Sequence, residues 1–319
     1  MTDIPRSLID AAAAQLGSPV ETTALSTAPF SVRPVLRLHL TDRRTAILKT
    51  GGPGQASASP PFRWTDLVDR EVWMYEHATI APKIRPGFLG DVSADGWRGV
   101  LLEDLTGNAV PPPWTPHAID SSARALAILH QTEPPTGLPH DWHERESPQP
   151  YFERIAARRR TRGDLPDGCT TEWWSWFEQS VPYLEAAYRA LWGPGRKVLV
   201  HNNVRSDNLF LRHGETIFID WDHAILGSPA YDSVYWAMGV EREGGGPASA
   251  AQARYDAIAG PVSSEDVFGV LAFWTGYFLD HLQAAASRPV NQTLRVEYLR
   301  LVLRWLAESS PLPTQPVAI

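Results

Sequence analysis

The hydrophobic and polar positions of this chain follow two different periods, and the change from one to the other divides it. Residues 5–16 carry apolar side chains at helical spacing and stop at Gly17, which predicts an amphipathic helix. Short β-like runs follow at 22–25, 32–40 and 45–50, with Asp42, Arg43 and Arg44 as the turn before the last. The link at 26–31 is mostly small and polar, and residues 51–61, GGPGQASASPP, read as a flexible loop. Leu67, Glu71, Met74 and Tyr75 recur at spacings of three and four within a helix at 64–77. Residues 81–93 pass through prolines and glycines into another hairpin. An apolar strand at 99–105 then runs into Glu103 and Asp104.

Beyond this point the helical period dominates. Helices are predicted at 119–131, capped by Asp120 or Ser121, and at 151–162. Others fall at 171–192, broken near Pro182, and at 265–286 and 296–308. Residues 133–150 and the Gly- and Glu-bearing 240–248 read as loops, and 312–319 as a loose tail. Strands with two helices first, then mostly helices, predict an α+β chain with an antiparallel N-terminal sheet. The break falls after residue 104 and is reinforced by Pro111, Pro112 and Pro113.

One stretch, VLVHNNVRSDNLFL at 198–211, interrupts the helices. Val198 to Val200 are apolar and mostly β-branched, so a buried strand delivers the polar residues after it into a loop. Runs at 209–211 and 216–219, turning around Gly214, then bring Asp220 back to the neighbourhood of Asn208. The spacing of His201, Asn203, Asn208 and Asp220 is close to H-x-D-x-x-x-x-N followed by I-D, the catalytic and metal-binding pattern of a phosphotransferase. One letter differs: Asn203 stands where the pattern has the aspartate that takes a proton from the substrate hydroxyl. An amide oxygen from Asn208 and a carboxylate from Asp220 suit a hard cation such as Mg²⁺ beside nucleotide phosphates. Arg205 is placed to neutralise charge on the transferring phosphoryl group. His201 by itself reads as a packed residue that holds the loop.

The formal net charge of −7 argues against nucleic acid as a partner and fits a cationic substrate. Cys169 is the single cysteine, which excludes an internal disulfide and a cysteine zinc cluster. No apolar run reaches membrane length, and no basic region with a long apolar run opens the chain, so a cytoplasmic protein without a membrane partner is expected. Of the thirteen tryptophans, most are expected in the core. The basic run at 158–160 reads as a solvated helix face.

In their order, these pieces make the chain resemble the aminoglycoside phosphotransferase family. That family shares a two-lobed protein-kinase-like fold with choline kinases and other small-molecule kinases. The likeness is carried by Lys49 on the third strand, REVWMY at 70–75, LLEDL at 101–105 and ALAILH at 125–130. It continues with HNNVRSDN at 201–208, IDW at 219–221 and the turn at 227–232. The resemblance implies a nucleotide-binding lobe at 1–104 and a catalytic and substrate-binding lobe at 105–319. Lys49, oriented by Glu71, would bind the α- and β-phosphates of ATP (or GTP). The backbone of Glu103 and Leu105 would meet the base, Asn208 and Asp220 would hold Mg²⁺, and Asp232 would anchor the catalytic loop. The acceptor would be a small hydroxylated, cationic molecule such as an antibiotic, with Asp222, Glu241 and Glu243 as its acidic neighbours. Taken singly, these three acids read as solvated loop residues. A choline- or homoserine-type metabolic kinase would differ only in substrate, and monomer and homodimer both stay open.

Three departures stand against the family pattern. Residues 26–31 contain no glycine, so the phosphate clamp is unassigned. Asn202 occupies a position that commonly holds Gly, and Asn203 replaces the catalytic Asp. An amide cannot serve as a carboxylate base near pH 7, yet it can hold a hydroxyl in line, and phosphoryl transfer depends largely on positioning. Asn203 fits an engineered change made to trap a substrate complex, which is the favoured reading. It also fits a naturally slow kinase, or a binding protein that has lost its chemistry.

Overall fold

Leucines two residues apart shape the front of the chain. In the computed structural model they lie on strands, and the model describes residues 4–25, 33–55, 63–137, 150–162, 170–193, 197–283 and 289–308. The link at 26–31, Cys169 and the tail at 312–319 lie outside the described residues, as does the loop at 51–61 beyond residue 55.

In chain order the elements begin with α1 (Arg6–Leu16), β1 (Val20–Leu25), β2 (Val35–Leu40), β3 (Thr45–Gly51) and α2 (Trp64–His77). Next come β4 (Phe88–Ala94), β5 (Trp97–Glu103), α3 (Pro116–His130), α4 (Tyr151–Arg162), α5 (Thr171–Ala190) and β6 (Val198–Val200). Last are β7 (Leu209–Arg212), β8 (Glu215–Phe218), β9 (Ile225–Gly227), α6 (Ala230–Arg242), α7 (Ala248–Ala259), α8 (Ser264–Gln283) and α9 (Pro289–Glu308). By compactness they form two units. The first is Met1–Pro111, Gln131–Thr136 and His201–Ala224; the second is Pro112–His130, Gly137–Val200 and Ile225–Ile319.

The first unit is built on an antiparallel sheet in the order β1-β2-β3-β5-β4. Leu36 pairs with Leu48, Leu38 with Ala46, and Leu48 with Leu101, so these side chains share one face. Leu8, Ala12 and Leu16 of α1 pack with them, and burying each leucine contributes about 1.5–3 kcal/mol. Gly17, at φ 66°, ends α1 in the left-handed conformation that a side chain would resist. Lys49, next to Leu48 on β3, points to the opposite face by the alternation of the strand.

The second unit is mainly helical, and its core is aromatic: Trp173, Trp174, Trp176, Phe177, Tyr235, Trp274 and Phe278 are all buried in it. Four expectations are corrected here. Helix α3 starts before Asp120 and Ser121, because the Thr115 hydroxyl accepts the Ala118 N–H at 3.1 Å and serves as the cap. Helix α5 runs through Pro182 without a break, since buried aromatic and leucine side chains hold both halves. The loop expected at 240–248 shrinks to 243–247, because α6 continues through Arg242 and α7 begins at Ala248. The short α7 was hidden by small alanines that give little periodic contrast. Arg158, read as solvated, donates to the Asp280 carbonyl at 2.6 Å and pairs with its carboxylate at 2.8 Å. Among the described residues no helix is long and apolar enough to cross a membrane.

Candidate active site

Five charged side chains from distant parts of the chain meet inside the first unit. Lys49 reaches from β3 to Glu71 on α2, with Nζ donating to Oε1 at 2.7 Å, and to Asp220 Oδ1 at 2.9 Å. Arg33, just before β2, donates from Nη2 to Asp222 Oδ2 at 2.6 Å and lies 3.4 Å from Asp220 Oδ1. The same nitrogen is 3.7 Å from Glu71 Oε2. Glu71 is fully buried, Lys49, Arg33 and Asp222 nearly so, while the Asp220 side chain keeps 28% of its exposure. Three carboxylates therefore face two cations in a place mostly removed from water.

Their acidities follow from that crowding. Burial opposes the charge on Asp220, but Lys49 and Arg33 outweigh it and hold this carboxyl far below the ordinary range. Burial and then the Asp220 charge push Asp222 up to about 7, against the pull of Arg33. Burial works against Lys49 too, yet Asp220 and Glu71 prevail and raise it above the usual lysine value.

The loop at 201–208 brings the motif residues beside this cluster. His201 is buried, packs with its ring centroid 4.7 Å from that of Trp221 at a tilt of 59°, and donates from Nε2 to the Ile219 carbonyl at 2.8 Å. It holds the loop to the hairpin formed by β7 and β8. The Ile219 N–H in turn donates to the Asn208 carbonyl at 3.0 Å, which sets Asn208 next to Asp220. Asn208 Nδ2 donates to the Asn203 carbonyl at 2.9 Å, and Asn203 Nδ2 lies 3.5 Å from Asp220 Oδ2. Asn202 sits at φ 59° and Asp220 at φ 71°, both left-handed. Glycine adopts that conformation freely and asparagine tolerates it, so Asn202 can hold it where most side chains would resist. Arg205 donates from Nε and Nη2 to the two oxygens of Asp207 at 3.0 and 2.9 Å.

A family model described as the phosphotransferase enzyme family matches residues 30–267, a span that includes every residue of this cluster. The chain belongs to this phosphotransferase family. No curated protein sequence matches it. Among solved structures, the chain is similar to a spectinomycin phosphotransferase in complex with ADP and spectinomycin, at 12% identity and TM-score 0.57, over 97% of this chain and 100% of that one. It is also similar to an aminoglycoside phosphotransferase from Alicyclobacillus acidocaldarius, at 13% identity and TM-score 0.60, over 97% and 96%. The choline kinase LicA from Streptococcus pneumoniae matches at 14% identity and TM-score 0.59, over 94% and 99%. At these identities the likeness establishes the fold, which is α+β and protein-kinase-like.

The remaining expected residues lie as follows. Glu103 ends β5; its N–H donates to the Gly87 carbonyl at 2.8 Å and its side chain pairs with Arg212 at 2.5 Å. Leu105 is buried, and its carbonyl accepts from the Asn108 side chain at 2.8 Å. Asp222 is a buried partner of Arg33, not a solvated loop acid. Glu241 and Glu243 lie in the second unit and are not free loop acids either. Glu241 accepts the Ala248 N–H at 2.8 Å and pairs with Arg304; Glu243 accepts the Trp114 indole N–H at 2.8 Å and pairs with Arg242. Asp232, also in the second unit, is fully buried and accepts from His130 Nε2 at 3.1 Å.

Sequence reasoning missed Arg33. Its partners are 187 and 189 residues away, and a lone arginine before a strand carries no local signal. Asp207, which holds Arg205, was missed too, although the two-residue spacing was visible.

Proposed function

We propose that this chain is an ATP-dependent O-phosphotransferase acting on a small hydroxylated, cationic molecule. The observation that carries this reading is Lys49 held between Glu71 and Asp220 at 2.7 and 2.9 Å, with Asn203 Nδ2 3.5 Å from the same Asp220 carboxylate and Asn208 Nδ2 donating to the Asn203 carbonyl. In the proposed division, residues 1–104 take the nucleotide and 105–319 supply catalysis and the acceptor site. Lys49 binds the α- and β-phosphates, and the backbone of Glu103 and Leu105 meets the base.

The donor set fits Mg²⁺. Asn208 commits its amide nitrogen to the Asn203 carbonyl, so its oxygen is the end left to accept. With one Asp220 oxygen it makes a pair of hard oxygen ligands. Among the described residues no three His, Cys, Asp or Glu side chains gather around a metal site, so the ion would share its coordination with nucleotide phosphates. When bound, Mg²⁺ would neutralise charge on the phosphates that Lys49 also binds. Asn203 hydrogen-bonds the acceptor hydroxyl and holds it in line, without taking its proton. Arg205 serves the transferring group after exchanging Asp207 for it. Glu241 and Glu243 are the acids this reading offers to the acceptor's cationic groups, shared with Arg304 and Arg242.

The test is phosphate transfer from ATP across hydroxylated antibiotics and amino alcohols, with Asn203→Asp beside the unsubstituted chain. Turnover by the variant supports the reading; no turnover and no Mg-ATP binding would overturn it. Asn203 itself, whether introduced or natural, motivates a second reading as a non-catalytic nucleotide-binding protein. That reading takes over if Asn203→Asp gains nothing while Mg-ATP is still bound.

A further inference from the structure

We propose that Arg33 and Asp222 act together as a positioning pair that aims Asp220 at the divalent ion. The inference rests on the proposed role of Asp220 as a metal ligand. Arg33 Nη2 and Lys49 Nζ both approach the same oxygen of Asp220, Oδ1, at 3.4 and 2.9 Å. The other oxygen, Oδ2, is the one that lies 3.5 Å from Asn203 Nδ2. A carboxylate gripped by two cations through one oxygen presents the other in a fixed direction. Here that direction is toward the loop that carries Asn208.

Asp222 makes the grip possible. Its Oδ2 holds Arg33 at 2.6 Å, and the two side chains keep only 3% and 6% of their exposure. A guanidinium this buried needs a close counter-ion, and a salt-bridged arginine cannot swing away. The intervening Trp221 is fully buried, and its indole N–H donates to the Phe218 carbonyl at 3.0 Å. That anchor fixes the short turn Trp221–His223, so Asp220 and Asp222 meet the same guanidinium from two residues apart. Arg33 brings a second cation to the cluster from the start of β2.

Groups behind a metal ligand typically change metal affinity by about 10–100-fold when removed. The experiment titrates Mn²⁺, followed by electron paramagnetic resonance, into the full chain at saturating ATP, and measures metal-free ATP binding separately. The variants are Asp222→Asn, Arg33→Gln, Arg33→Lys and the double Arg33→Gln/Asp222→Asn. The expected result is a roughly 10–100-fold weaker Mn²⁺ affinity in both neutral single variants, with the double no worse than either. Arg33→Lys should recover part of the loss, and metal-free ATP binding should not change. Should Arg33→Gln not fold, Arg33→Lys and Asp222→Asn carry the comparison. Unchanged Mn²⁺ affinity in folded variants would overturn the pair. So would a loss confined to Asp222→Asn, which would make Asp222 itself a ligand. Weakened metal-free ATP binding in the Arg33 variants would overturn it as well, making Arg33 a phosphate contact. If the unsubstituted chain binds no Mn²⁺ with ATP, the proposed function falls and this inference with it. If it does bind, the first three outcomes bear on the pair alone.

Discussion

The two units bury polar groups in opposite ways. In the first, Glu71, Asp220 and Asp222 crowd around Arg33 and Lys49, with His223 Nε2 3.8 Å from Asp222 Oδ1, and the crowding of acids shows in Asp222, which is pushed up to about 7 by burial and by the Asp220 charge. In the second, buried Asp232 accepts from His130 Nε2 at 3.1 Å, and His130 Nδ1 meets the Tyr255 hydroxyl at 2.6 Å. Each member of that row answers the next. A balanced row of hydrogen bonds fixes packing, whereas crowded buried acids suit something that brings positive charge with it. On the proposed function, the difference separates buried polar groups that stabilise from those that receive a ligand.

The comparison can be sharpened by substitution. The largest effect is expected at Asn203, where Asn203→Asp should raise turnover by about 10²–10⁴-fold in a phosphate-transfer assay. Next is Glu71→Ala, which strips a fully buried counter-ion from Lys49 and should cost about 3–5 kcal/mol in urea unfolding. Loss of less than 1 kcal/mol there would mean that the charges rearrange and that the cluster is not rigid. In the second unit, Tyr255→Phe removes one hydroxyl from the balanced row and should cost only about 0.5–1.5 kcal/mol, with no change in Mn²⁺ affinity at saturating ATP.

The smallest effect concerns pH. Burial lowers the His281 pKa below its ordinary 6.5, with Arg295 and Arg154 adding to the shift. A histidine depressed in the folded state favours the neutral form. It therefore contributes stability above about pH 6.5 that is lost as the pH falls through the folded value. The Tm of the chain should drop on acidification below that point, and His281→Gln should flatten the drop.

Much of this was legible in the residues, because much of it is local. The helix at 64–77 was read to its observed limits, and Lys49, Glu71, Asn208 and Asp220 stood out by order and spacing. What stayed hidden depends on distance in sequence. Arg33 meets acids nearly two hundred positions away, and nothing near it announces them. Likewise, the compact unit that holds the N-terminal sheet also takes in His201–Ala224, a grouping that a cut along the chain cannot express. The acids Asp222, Glu241 and Glu243 looked solvated because loop composition says nothing of the arginines folded onto them. The cap of α3 was misplaced because Asp120 and Ser121 are as good capping types as Thr115, and only the packing of Ser121 into the interior decides.

The claim beneath all of this is that the buried acid surplus exists to receive a metal–nucleotide complex. Calorimetric titration of ATP into the unsubstituted chain and into Asp220→Ala, with and without Mg²⁺, tests it most directly. The account predicts Mg²⁺-dependent binding to the first that is lost in the second while its circular dichroism is unchanged. Equal binding by both, or binding indifferent to Mg²⁺, would contradict it.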